Sequence, residues 1–193
     1  MLRPSQFRPL IAVVAHGCLA LTVLLGTSVE AQCINQQTPS CGVYKQCFAK
    51  YCPCSGDKDE YFESYGLKYC QRFLNNTNLT AEGKRWRDKT LVCLQEAIVP
   101  KLDISANPSC NCEEMKGYAF KVHVTCYTQP GSSICALPIA DLNEMRKTID
   151  VADAFASEGW LQMKEVANIC VDSAPDDGRR ALWIGIRAVL SAR

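Results

Sequence analysis

The 193-residue sequence has only two histidines, His16 and His123, and no excess of charge: 21 Lys and Arg residues face 20 Asp and Glu residues. This balance argues against nucleic acid or an anionic membrane as the main partner. Internal repeats, low-complexity segments and a Gly-x-Ser-x-Gly motif are all missing, and the last absence argues against a serine hydrolase. Alternating runs of β-branched residues between hairpin turns are missing as well, so the sequence favours helices over strands.

Beyond residue 26 the sequence has no apolar run long enough to cross a bilayer. The one long run, Leu10 to Gly26, follows two arginines and precedes the small residues that a signal peptidase prefers. The alternative is a membrane anchor, but the run is short for a span of about 20 residues. We predict that residues 1–31 form a signal peptide cleaved before Gln32, and that residues 32–193 form one extracellular domain with no membrane span.

Cysteine is abundant, with 13 residues in the chain. Cleavage would remove Cys18 and leave an even number, twelve, as full pairing requires. Such a density in a secreted chain indicates a disulfide framework. Twelve cysteines allow thousands of pairings, and their spacing alone does not choose among them. The predicted disulfide cysteines are Cys33, Cys41, Cys47, Cys52, Cys54, Cys70, Cys93, Cys110, Cys112, Cys126, Cys135 and Cys170.

We predict an all-α, disulfide-stapled domain of about five to six helices, preceded by a cysteine-rich region of loops and turns over residues 33–56. Thr80 is a good N-cap for the clearest helix, and residues 138–153 also look helical. An aspartate in the loop around residue 176 is expected to cap the last helix. Apolar residues recur at steps of three and four, and the cysteines fall within these stripes.

Two close cysteine pairs, Cys52-Pro53-Cys54 and Cys110-Asn111-Cys112, raise the alternative of a zinc site. Structural zinc sites prefer two to four residues between paired ligands, and one residue is poor spacing. Secretion also favours oxidation of the thiols. We therefore predict no metal and no cofactor.

The segment around His123, residues 123–127, resembles part of the active-site helix of secreted phospholipase A2 enzymes. That family has paired cysteines before the histidine and an acidic residue directly after it. Here Ala119 and Phe120 precede His123 and Val124 follows it, so the groups that would hold calcium are missing. We interpret His123 as an ordinary boundary residue at the edge of an apolar stripe, and predict no catalytic residue.

Two sequons, at Asn75 and Asn78, fit the N-x-S/T pattern for N-glycosylation. Both fall where the sequence predicts a loop between two helices. We predict that this loop carries glycan, although the sequons are too close together for easy double occupancy.

The central part of the chain, residues 65–135, resembles the stanniocalcins, which are secreted glycoprotein hormones associated with calcium and phosphate balance. The resemblance lies in an ordered pattern rather than in one strong motif. Its elements are Cys70-Gln71-Arg72-Phe73-Leu74, Gly83-Lys84, Leu91-Val92-Cys93-Leu94, Cys112, Cys126-Tyr127 and Cys135, followed by a 35-residue step to Cys170.

The resemblance implies a hormone-like ligand that acts by surface recognition of an unknown receptor or extracellular protein. A covalent dimer is not expected, since the family's intersubunit cysteine lies downstream of Cys170 and no cysteine follows here. A non-covalent dimer stays open, as does a binding or effector protein on the same scaffold. The implied disulfide pairs are Cys93–Cys126, Cys135–Cys170, Cys54–Cys112, Cys47–Cys70 and Cys41–Cys52, with Cys33–Cys110 left over.

Overall fold

The computed structural model describes Cys33 and residues 38–192, so the predicted signal peptide lies outside the described residues. The described residues form eight α-helices and no strand, and six of these helices have eight or more residues. The predicted all-α fold of five to six helices is therefore confirmed. The helices are α1 (Ala49–Tyr51), α2 (Lys68–Asn75), α3 (Ala81–Ile98), α4 (Cys112–Tyr127), α5 (Ile139–Thr148), α6 (Val151–Ala154), α7 (Ser157–Ser173) and α8 (Asp177–Ser191).

The first two helices continue from wider π-helical segments, Tyr44–Phe48 before α1 and Phe62–Leu67 before α2. These segments pack closely against each other. Gly66 makes the approach possible, because a Cβ atom at this position would lie 2.5 Å from Cε1 of the Tyr44 ring. The contact sets the distance between the two segments, and with it the positions of the cysteines nearby.

Side chains cap three of the long helices at their N-termini, where backbone N–H groups lack partners within the helix. The Thr80 hydroxyl accepts a hydrogen bond from Gly83 N, and the Asp176 carboxylate accepts one from Arg179 N. Asn111 caps α4 in the same way. The predicted caps of α3 and α8 are thus confirmed.

The helix expected over residues 138–153 is interrupted, so that prediction was partly wrong. Pro138 is the N-cap of α5, and the chain leaves the helix at Ile149 and Asp150 before α6 begins. Asp150 N donates to the Tyr69 hydroxyl at 3.2 Å instead of to a helical carbonyl. Contacts with α2 thus redirect the chain at this point.

The core has two clusters of buried side chains. The N-terminal cluster gathers around Phe48, Phe62 and Phe120, and the C-terminal one around Trp86 and Trp183. Tyr65 packs against both clusters. Helix α3 packs on α4, α4 on α7, and α7 most extensively on α8, so these four helices form the body of the fold.

Candidate functional site

The twelve predicted cysteines are joined in six disulfide bridges, with Cα–Cα distances of 4.9 to 5.8 Å. Three pairs agree with those that the stanniocalcin resemblance implied. Cys93–Cys126 joins α3 to α4, Cys135–Cys170 ties the turn before α5 to α7, and Cys54–Cys112 fixes the start of α4. These bridges link segments that are distant in the sequence, so they hold the helices in their packed arrangement.

The other three implied pairs, Cys47–Cys70, Cys41–Cys52 and Cys33–Cys110, were wrong. The structure has Cys33–Cys47, Cys41–Cys70 and Cys52–Cys110 instead. The helical segment from Tyr44 to α1 explains the difference, since Cys41 precedes it and Cys52 follows it. The eight helical residues between these two cysteines alone span about 12 Å at about 1.5 Å per residue, well beyond the 4.4–6.8 Å between Cα atoms that a disulfide allows.

Two of the bridges, Cys52–Cys110 and Cys54–Cys112, lie side by side and are called the paired bridges below. Sγ of Cys52 is 3.7 Å from Sγ of Cys54, although the two belong to different bridges. The sulfur atoms of Cys52, Cys54 and Cys110 all lie within 4.8 Å of one another. Such a cluster has the geometry to hold a metal only as thiolates, and here each sulfur is in a disulfide.

His123 is buried, with 4% of its surface exposed, so its interpretation as a boundary residue was wrong. Its Nε2 lies 3.3 Å from the Tyr61 hydroxyl and its Nδ1 lies 2.6 Å from the Ala119 carbonyl. Because the carbonyl can only accept, Nδ1 carries the proton and Nε2 accepts from Tyr61. Burial lowers the pKa of His123 to about 4, against a weaker opposing effect of the Ala119 hydrogen bond.

Aromatic rings surround His123 on several sides, notably Phe120, Tyr61, Tyr65 and Tyr127. Burial raises the pKa of Tyr127 to about 12, and it raises the pKa of Tyr61 as well. The cavity beside these rings has a volume of about 30 Å³, room for roughly one water molecule. A neutral histidine with both nitrogens engaged, next to so small a cavity, has a structural role in the core.

A network of charges joins α2 to the break between α5 and α6, and no pattern in the sequence predicted it. Lys68 Nζ lies 2.7 Å from Asp150 and 2.8 Å from Asp153, and Arg72 Nη1 lies 2.6 Å from Asp150. The Tyr69 hydroxyl donates to Asp153 as well. Hydrogen bonds from Arg72 and then Lys68 lower the pKa of Asp150 to about 2. These contacts pair most of the local charge, so they fix the helices rather than leave a free charged site.

The second sequon lies where it was expected, between α2 and α3, whereas the first begins inside α2, so the expected position was only partly correct. Asn75 is exposed at the last position of α2, and Thr77 is exposed as well. Nδ2 of Asn78 is 3.4 Å from the Glu144 carboxylate. The Thr80 hydroxyl of the second sequon donates to Asp141 and caps α3.

None of the helices in the described part of the chain is long and apolar enough to cross a membrane. Comparisons with protein-family models, curated proteins and solved structures each find no match to this chain. The resemblance to stanniocalcins therefore rests on the cysteine order and the short motifs alone.

Proposed function

We propose that this chain is a secreted signalling glycoprotein on a stanniocalcin-like scaffold, and that it acts by binding an extracellular partner through its surface. The observation that supports this most is the presence of three bridges that the resemblance implied, Cys54–Cys112, Cys93–Cys126 and Cys135–Cys170. A scaffold does not by itself determine an activity, so the hormone role is tested separately from the fold.

Secretion is supported by the predicted signal peptide and by the number of bridges, which form and persist in oxidising compartments. Surface recognition is supported by the environment of His123. In the described residues its hydrogen-bond partners are the Tyr61 phenol and the Ala119 carbonyl, and neither can serve as the acidic partner that a phospholipase-like mechanism needs. A role in calcium or phosphate balance comes from the resemblance.

The test begins with the tagged full-length chain, expressed in cultured animal cells and purified from the medium. Labelled protein is then added to intact epithelial cells, and binding is measured with and without excess unlabelled protein. Reduced and alkylated protein is the matched control, because it has the same sequence without the bridges. The proposal expects saturable binding that only the native form shows, and absence of saturable binding on every cell type tried contradicts it.

The same cells distinguish the hormone role from its alternatives. A change in calcium or phosphate uptake at concentrations that saturate binding supports the stanniocalcin-like role. Saturable binding without such a change favours a cysteine-rich binding or effector protein on the same scaffold. Calcium-dependent hydrolysis of phospholipid vesicles that is lost in His123→Ala would instead support a hydrolase.

A further inference from the structure

The paired bridges place two disulfides in contact, so a sulfur released from one bridge can react with the other. If Cys52–Cys110 opens, the freed Cys52 sulfur already lies 3.7 Å from Cys54 of the other bridge. Thiol–disulfide exchange proceeds by attack of a thiolate on a disulfide sulfur, so its rate depends on such proximity. Among the described residues, this is the one group of three cysteine sulfurs that all lie within 4.8 Å of one another.

The paired bridges are also reachable from solvent on one side. Cys110 is half-buried and lines a surface groove together with Lys101, Glu114 and Tyr118. Its partner Cys52 is 1% exposed. An external thiolate therefore reaches Cys110 and displaces Cys52. The Lys101 ammonium group, which lies 4.9 Å from the centre of the Tyr118 ring, adds a positive charge to this groove.

In the second bridge, Cys54–Cys112, the position of Cys112 favours its departure as the leaving thiolate. Cys112 is the first residue of α4, a helix of 16 residues, and Asn111 caps this end. The N-terminus of a helix stabilises a thiolate and makes it a better leaving group. An attack on Cys54 thus expels Cys112, although Glu113 and Glu114 in the same first turn oppose the effect of the helix end.

We propose that the paired bridges form a thiol–disulfide exchange site whose co-reactant is a small-molecule or protein thiolate. The incoming thiolate attacks Cys110 Sγ, forms a mixed disulfide there and releases the Cys52 thiolate. Cys52 then attacks Cys54, forms Cys52–Cys54 and releases the Cys112 thiolate. Cys112 finally attacks Cys110, which forms Cys110–Cys112 and returns the original thiolate. Two disulfides are present before and after, so no net oxidant or reductant is needed.

The rearrangement would change how the molecule is tied together. In the native form both bridges connect the segment after α1 to the start of α4, 58 residues away in each case. In the rearranged form each bridge closes within its own three-residue segment, so the two segments are released from each other. This is a thiol-catalysed, redox-neutral change that surface recognition alone does not require, and its outcome is independent of the function proposed above.

The native protein can be tested directly with reduced glutathione. Samples are taken over time, quenched with acid, alkylated with N-ethylmaleimide and digested with trypsin. In the native form the paired bridges join the tryptic peptides 51–58 and 102–116. We expect these peptides to separate about tenfold faster than Cys135–Cys170 opens, whose sulfurs are buried. Early samples should carry glutathione on Cys110, alkylation on Cys112 and an internal disulfide in peptide 51–58.

Two results would overturn the proposal in the wild-type protein. One is that another bridge opens first, and the other is that alkylation falls on Cys52 while Cys54–Cys112 stays intact.

A double variant, Cys54→Ala with Cys112→Ala, removes the second bridge. In it the freed Cys52 has no neighbouring bridge to attack, and it closes again unless a second glutathione first removes the one on Cys110, so we expect loss of Cys52–Cys110 to slow several-fold. The control, Cys93→Ala with Cys126→Ala, should leave the rate unchanged. If either variant fails to fold, the sites modified in wild type still decide the question.

Discussion

The carboxylate of Asp141 lies against the Cα atom of Gly83, with no space for a side chain between them. A Cβ atom at Gly83 would lie 2.5 Å from Cγ of Asp141. Asp141 is fully buried and accepts hydrogen bonds from the Thr80 backbone N–H at 2.8 Å and from the Thr80 hydroxyl at 2.6 Å. These bonds hold the carboxylate in place, so this contact fixes α5 against the start of α3.

Replacing Gly83 by alanine should therefore destabilise the protein despite the higher helix propensity of alanine. Overpacking costs about 1–3 kcal/mol, and the upper part of this range, about 2–3, applies because two hydrogen bonds hold the Asp141 carboxylate in place. The propensity gain offsets about 1 kcal/mol, so we expect a net loss of about 1–2 kcal/mol in the free energy of unfolding. Unfolding in urea, with the bridges intact, measures this difference in the free energy of unfolding. Gly117→Ala is the matched control: this glycine is exposed on α4 and a Cβ atom there would meet nothing within 4 Å. The control should gain about 0.5–1 kcal/mol, and a Gly83→Ala protein as stable as wild type would contradict the argument.

Burial of His123 predicts a loss of stability as the pH falls. Its folded pKa of about 4 lies below the ordinary 6.5, so the unfolded chain binds a proton first and protonation favours unfolding. Stability should decline below about pH 6.5 and continue to decline toward pH 4. Between pH 7 and pH 5, before most carboxylates titrate, we expect a loss of about 2 kcal/mol.

The measurement is the free energy of unfolding in urea at several pH values from 7 to 5. His123→Gln is the comparison, since it cannot take up a proton in this range. It should be less stable at pH 7, because it loses packing among the aromatic rings, but its stability should change little down to pH 5. An equal decline in both proteins would show that another group is responsible.

We predict one N-glycan, attached to Asn75 and not to Asn78. A glycan on Asn78 would disturb the contact of its amide with Glu144, beside the capped start of α3. Asn75 is exposed, and in the described residues its side chain makes no hydrogen bond that a glycan would displace. The masses of Asn75→Gln and Asn78→Gln, each measured before and after enzymatic deglycosylation, test this. Loss of the glycan in Asn78→Gln alone would contradict it.

Features that depend on neighbouring residues in the sequence were predictable. Thr80 and Asp176 cap their helices through N–H groups three residues away, so the amino acids at these positions were sufficient evidence. The buried face of α3 was predictable for the same reason: apolar residues recur there at steps of three and four, and of these Trp86, Leu94 and Ile98 are buried.

Features that depend on contacts between distant parts of the chain were not predictable from the sequence. Tyr61, 62 residues earlier in the chain, packs over His123, so the sequence of its own helix did not predict the burial of His123. Asp141 carries a charge, so apolar periodicity does not place it in the core, yet it is completely buried in contact with Thr80. The pairing of Cys41 and Cys52 failed in the same way, because the helical segment between them sets a distance that cysteine order does not encode.

The disulfide frame is the central claim, and a tryptic digest of the non-reduced protein tests it most directly. The bridges described here divide the cysteine peptides into three linked groups. Cys33, Cys41, Cys47 and Cys70 belong to the first, the paired bridges form the second, and Cys93, Cys126, Cys135 and Cys170 belong to the third. Mass spectrometry should find these three groups as separate species that fall apart on reduction. A single species that joins the first group to the second, as Cys41–Cys52 or Cys33–Cys110 would require, would contradict the account.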